Sequence, residues 1–165
     1  MNIYGYCRIS TAKQSIDRQI RNIKAEYPTA HIVQEAYTGT SIFRPEWLKL
    51  YRVLKAGDTV VFDSVSRMSR NAEEGFALYE DLYHKGIRLV FLKEHHIDTE
   101  TYKKALSGSI AMTGTNVDFI LKGINEYLMA LAKEQIKLAF EQSEKEVADL
   151  HQRTREGLLT ARLNG

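Results

Sequence analysis

From Ile3 to Leu92 the chain alternates short β-branched or aromatic runs with longer segments whose apolar residues recur every three or four positions. Few folds accommodate that pattern. Strands separated by helices form a mainly parallel sheet with helices on both faces and right-handed crossovers. Asn2 to Cys7 reads as the first strand. Gln14 to Glu26 reads as a helix on Ile16, Ile20 and Ile23, stopped by Pro28, and Thr11 with Gln14 fits a capping box at its start. His31 to Ala36 is the second strand. Pro45 opens a helix carrying Trp47, Leu48, Leu50, Tyr51 and Leu54, which closes at Lys55-Ala56-Gly57-Asp58. Thr59 to Phe62 is the third strand. Asn71 to Lys85 is a helix ended by Gly86, Ile87 to Leu92 is the fourth strand, and Ile97 marks a candidate fifth.

The rest of the chain has a different character. Thr101 to Thr115 holds Gly108 and Gly114 among small polar residues and reads as a loop or a short helix. From Asn116 to Leu163 there is no proline, and Ile120, Ile124, Leu128, Leu131, Gln135, Leu138, Ser143, Val147 and Leu150 keep spacings of three to five. A continuous helix of that length reaches roughly 70 Å at about 1.5 Å per residue. It must project from a small α/β core, and its apolar stripe then needs a partner. The expected organisation is a core over 1–100, a connection over 101–115 and a long helix over 116–165.

Composition narrows the setting. A chain of 165 residues, 44% hydrophobic and with prolines only at 28 and 45, suits one packed domain with an extended element. No apolar run approaches 18 residues, and no basic-then-apolar leader opens the chain, so a cytoplasmic location is expected. The single cysteine, Cys7, lies in a strand pattern as a small hydrophobe and excludes an intramolecular disulfide. The formal net charge is only +2, so any affinity for DNA rests on local arginines or on a region outside this chain.

Two strands end in polar groups. The first runs Tyr4-Gly5-Tyr6-Cys7-Arg8-Ile9-Ser10-Thr11, the third Val60-Val61-Phe62-Asp63-Ser64-Val65-Ser66-Arg67-Met68-Ser69-Arg70. Open α/β sheets hold ligands at the carboxyl ends of their strands. A hydroxyl and several guanidinium groups meeting there suit a phosphate, which the hydroxyl can attack while the arginines hold the developing charge.

These residues resemble the serine recombinases, the resolvase and invertase family of site-specific DNA recombinases. The match lies in Tyr6-x-Arg8-Ile9-Ser10-Thr11 and Ser66-Arg67-Met68-Ser69-Arg70, with Gln14, Gln19 and Arg44 at positions where the family keeps functional polar residues. It covers most of the chain, loosely between about 100 and 140, and returns over Glu146 to Gly157, ending Gln152-Arg153-Thr154-Arg155-Glu156-Gly157. The resemblance implies a three-layer α/β/α resolvase-like fold with a mainly parallel sheet of four or five strands and a long projecting C-terminal helix. It also implies that Ser10 is the nucleophile, forming a 5′-phosphoserine link and releasing a 3′-hydroxyl, with no cofactor and no ATP. Arg8, Arg67, Arg70 and Arg44 would hold the scissile phosphate. Gln14, Gln19 and Thr38 would support the site or contact DNA. The expected partners are double-stranded DNA at a specific site and further copies of the chain, a homodimer that becomes a tetramer at synapsis. The long helix would carry the dimer and lead to a DNA-reading region beyond this chain, which is then a catalytic-domain fragment.

Simpler roles exist for the same residues. Ser10 or Thr11 can cap the following helix. Arg67 and Arg70 can pair with Glu73, Glu74 or Asp63 at the surface. Gln14 and Gln19 can be solvent-facing helix residues. Many family members have Asp where this chain has Ser66, so the general acid and base stay open among Ser66, Asp63 and water. His95 and His96 with Glu94 and Asp98 do not make a metal site, because neighbours on a strand face opposite ways and there is no cysteine pair or His-x-x-x-His. Tyr4 and Tyr6 fall within the strand and suit packing. The competing functional reading is a catalytically silent, DNA-associated dimerisation module.

Overall fold

The structure, a computed structural model, describes residues 1–9, 16–36, 44–69, 71–107 and 111–164, with side chains for all of these but 106, 107 and 147–151. Its centre is a parallel four-stranded sheet: β1 (Ile3–Arg8), β2 (His31–Glu35), β3 (Thr59–Phe62) and β4 (Arg88–Phe91), in the order β2-β1-β3-β4. β1 pairs with β2 as far as Arg8 against Glu35, but with β3 only as far as Tyr6 against Phe62. Ile97 lies in a short 3-10 turn, His95–Ile97, rather than in a fifth strand. Glu94 N donates to the Phe91 carbonyl there, and the backbone turns back instead of extending the sheet.

Six helices cover the described sheet: α1 (Ile16–Glu26), α2 (Pro45–Val53), α3 (Val65–Met68), α4 (Ala72–His84), α5 (Thr99–Ser107) and α6 (Asp118–Asn164). Among the described helices, α1 alone covers one face, with Ile16, Ile20 and Ile23 against Cys7, Val61 and Val90. The other face buries Tyr6, Val60, Phe62, Leu89 and Phe91 under Trp47 and Leu50 of α2, Tyr79 and Leu82 of α4, Tyr102 of α5, and Ile136 and Phe140 of α6. The division follows from strand order. The chain steps outward from β1 to β2 and then reverses across β1 to β3, and a right-handed crossover in the reverse direction lands on the opposite face. The crevice at that reversal, between the carboxyl ends of β1 and β3, is the switch point where such sheets bind ligands.

Local signals set the helix ends. Pro45 sits in the first turn of α2. The Asn71 side chain accepts from Glu74 N at the start of α4. Gly86 takes the left-handed conformation (φ 78°) that lets the chain leave α4 for β4.

α5 spans Thr99–Ser107, between the 3-10 turn and the long helix. The long helix runs 47 residues, about 70 Å. It lies on its own core through Ala132, Ile136, Ala139 and Phe140, one helical face at i, i+4, i+7 and i+8. The stripe legible in the sequence is a different one: Ile120, Ile124, Leu128, Leu131 and Leu138 remain between 37% and 66% exposed.

Candidate active site

The carboxyl end of β1 runs past the end of β3, because β3 turns away at Asp63-Ser64 into α3. Hydrogen-bonding groups of Arg8 would be left without a strand partner. Gln19 of α1 takes the place of the missing strand. Its carbonyl accepts from the Arg8 amide at 3.2 Å and its NH2 donates to the Arg8 carbonyl at 2.9 Å. Gln19 is 4% exposed, so it is not a solvent-facing helix residue.

The Arg8 side chain, 6% exposed, crosses to α3 and donates to the Ser66 carbonyl at 2.7 Å. Arg67 returns the link, with Nη1 donating to the Arg8 carbonyl at 3.3 Å. Arg44, at the start of α2, donates to the Met68 carbonyl at the other end of α3. Three of the four arginines singled out in the sequence thus meet around one four-residue helix. Its last carbonyls have no partner within so short a helix, and guanidinium groups are well suited to them. Arg67 is engaged with the β1 end.

Ser66 contributes its backbone carbonyl, which any residue at 66 could supply. Its hydroxyl lies 2.6 Å from that of Ser64. Asp63 is 2% exposed, and its two carboxylate oxygens are held by Asn22 Nδ2 at 2.9 Å and Lys93 Nζ at 3.4 Å. That is an anchor between α1, β3 and the end of β4.

Sequence reasoning passed over several groups that build this edge. Glu35, at the end of β2, is 2% exposed and accepts from the amides of Glu46 and Trp47 and from the Tyr6 hydroxyl at 3.3 Å. It caps α2 and so fixes where Arg44 emerges. A polar residue closing a strand, the signal that drew attention to Arg8, was present here too. Glu94 accepts from Val65 N at 3.0 Å and caps α3. Burial raises its carboxyl above the ordinary value against the lowering effect of that amide. The Tyr6 phenol is fully buried and burial pushes its pKa up, as packing rather than nucleophilic chemistry requires. Burial likewise pushes the Cys7 thiol up to about 12.

Ser10, Thr11, Gln14, Thr38 and Arg70 lie outside the described residues. Among those described, no group of three His, Cys, Asp or Glu residues could hold a metal ion, and no helix is long and apolar enough to cross a membrane.

Guanidinium groups gathered at the switch point of a parallel sheet are chemically suited to a phosphate ester. The family profile of the resolvase N-terminal domain matches residues 3–137. The chain is 27% identical over 159 residues to the Transposon Tn21 resolvase of Escherichia coli, covering 93% of this chain and 83% of that protein. It is 28% identical over 165 residues to a resolvase of Clostridium perfringens, covering 99% and 73%. Among solved structures, a resolvase family site-specific recombinase from Streptococcus pneumoniae is 20% identical, with 98% of each chain covered and a TM-score of 0.47. The chain belongs to the resolvase family of site-specific DNA recombinases, of which it carries the N-terminal, catalytic domain.

Proposed function

We propose that the chain cuts and rejoins duplex DNA through Ser10, with Arg8, Arg44, Arg67 and Arg70 holding the scissile phosphate. Ser10 Oγ attacks phosphorus, a Ser–O–P bond forms and the P–O3′ bond breaks. The 3′ oxygen leaves as a hydroxyl after taking a proton, and the serine proton passes to a base. Reversal by a new 3′-hydroxyl reseals the strand, and the energy kept in the ester makes ATP unnecessary. The observation that carries the reading is the meeting on α3 of Arg44 and Arg67 with Arg8, which lies two residues of sequence from Ser10. Rigid, partly buried guanidinium groups stabilise a phosphoryl transition state better than mobile surface charges do. Asn22 and Lys93 hold the two oxygens of Asp63, which anchors the end of β3. Gln14 and Thr38 are assigned to support of the site or to DNA contact.

The working assembly is a homodimer that joins a second into a tetramer on two double-stranded DNA sites. The exposed stripe of α6 supports it, since a long apolar face on a projecting helix asks to be covered. Strand exchange then proceeds within that tetramer in the cytoplasm.

The test is covalent trapping. Duplexes tiled across the DNA flanking the gene are mixed with wild-type protein and with Ser10→Ala, and stable protein–DNA adducts are resolved on denaturing gels. Wild type forms an adduct attached at a 5′ phosphate and the alanine variant forms none. An adduct formed equally well by the variant rejects Ser10 as nucleophile.

A further inference from the structure

The start of α4 is held by a residue 72 positions away. Ala72 N donates to Glu144 Oε2 of α6 at 3.0 Å. This amide is one of the free donors that open every helix, and a carboxylate is the acceptor best suited to it. Ala72 lies five positions after Arg67, and Ser69 and Asn71 between them are held by hydrogen bonds. Ser69 N donates to the Val65 carbonyl, Ser69 Oγ donates to the Asn71 carbonyl at 2.9 Å and accepts from Asn71 N at 3.2 Å, and the Asn71 side chain caps Glu74. One turn before Glu144 on the same face of α6, Phe140 packs on Gly75 of α4. A continuous set of bonds therefore leads from α6 through Ala72, Asn71 and Ser69 to the helix that carries Arg67 and receives Arg8 and Arg44.

We propose that Glu144 is a positioning residue of the active site, holding α3 and its Arg67 in register through the Ala72 amide. The proposal rests on the catalytic reading above for its meaning. In this role Glu144 acts through the Ala72 amide rather than on the reacting atoms. It acts by fixing the far end of the segment whose near end bears the arginines, so that a movement of α6 is transmitted to them.

The experiment compares wild type, E144A, E144Q and E144D by NMR, without DNA. Two signals are read: exchange of the Ala72 amide, and the Arg67 Nε–Hε resonance. Arg88, paired with Glu100 at the opposite end of the sheet, is the internal control. In E144A the Ala72 amide exchanges roughly tenfold faster, as loss of one net hydrogen bond implies, and the Arg67 signal moves while that of Arg88 stays. Glutamine keeps an oxygen acceptor, so E144Q restores both signals. Should E144A fail to fold, E144D gives the same comparison through its shorter reach. An Arg67 signal unmoved in E144A, or not restored in E144Q, overturns the proposal. Full-length wild-type protein that forms no adduct on the tiled duplexes rejects the catalytic reading instead, and leaves the coupling measured by NMR intact.

Discussion

Gly75 of α4 and Phe140 of α6 meet so closely that a Cβ at position 75 would lie 2.5 Å from two carbons of the ring. The side chain of Phe140 is 1% exposed and stands edge-on to Phe91 of the sheet at 6.5 Å between centroids. The ring therefore has no free space into which to retreat, and the long helix is seated by the absence of a methyl group. Gly75→Ala is expected to destabilise by about 1–3 kcal/mol, the usual cost of overpacking. Phe140→Leu in the same chain should recover part of that loss, because the two sites share one contact. Chemical denaturation of the four proteins of the cycle measures it, and additive losses would show that the contact is slack.

Gln19→Leu leaves the Arg8 amide and carbonyl facing an apolar group. Each buried, unsatisfied group costs about 1–3 kcal/mol. The expected loss is about 2 kcal/mol or more, read as a lower urea midpoint with an unchanged slope. A variant as stable as wild type would mean that solvent replaces the glutamine at the end of β1.

Arg67→Ala is expected to keep the fold and lose adduct formation. Removal of one preorganised donor slows such chemistry roughly 100- to 1000-fold. The rate of adduct formation at saturating duplex is the quantity to follow. A loss below about fivefold would make Arg67 an ordinary anchor for β1.

Glu94 provides a pH signature. Burial raises its folded pKa above the unfolded value of about 4.3. A raised folded pKa favours folding below the unfolded pKa, and that contribution is lost as pH rises through the folded one. Glu94→Gln keeps an oxygen for the Val65 amide and removes the titration. The variant should gain stability relative to wild type between pH 4 and pH 7, with the gap closing on acidification. Parallel thermal melts across that range check the sign.

Leu131 and Ile124 stand on the uncovered face of α6, at 38% and 39% exposure. Replacing both with glutamate should leave the core on Ile136 and Phe140 unaltered and weaken self-association by roughly tenfold or more, since each apolar side chain kept in water forgoes about 1.5–3 kcal/mol. Sedimentation equilibrium separates the outcomes. Equal association of variant and wild type would move the interface off this stripe.

Much of this molecule is legible one element at a time. The β-branched runs ending at Arg8 and Phe62, the proline opening α2 and the glycine closing α4 all act within a few residues of themselves, and their strands and helices appear within a residue or two of where the sequence puts them. Family motifs made Arg8 and Arg67 stand out for the same reason: each piece is contiguous in sequence. The candidate fifth strand at Ile97 shows the limit, because one apolar residue after a strand says nothing about which way the backbone turns.

The sequence alone determined which residues are apolar, where each element stops and what chemistry the strand ends carry. Those follow from local backbone preference and side-chain period. Only the tertiary structure decided that Gln19 completes β1, that Glu35 caps α2, that Glu144 caps α4, and that α6 lies down on Ile136 and Phe140 instead of its more conspicuous stripe. Each of these pairs residues far apart in the chain, and such pairings are selected by which faces fill space together and satisfy buried polar groups, a condition no local pattern encodes.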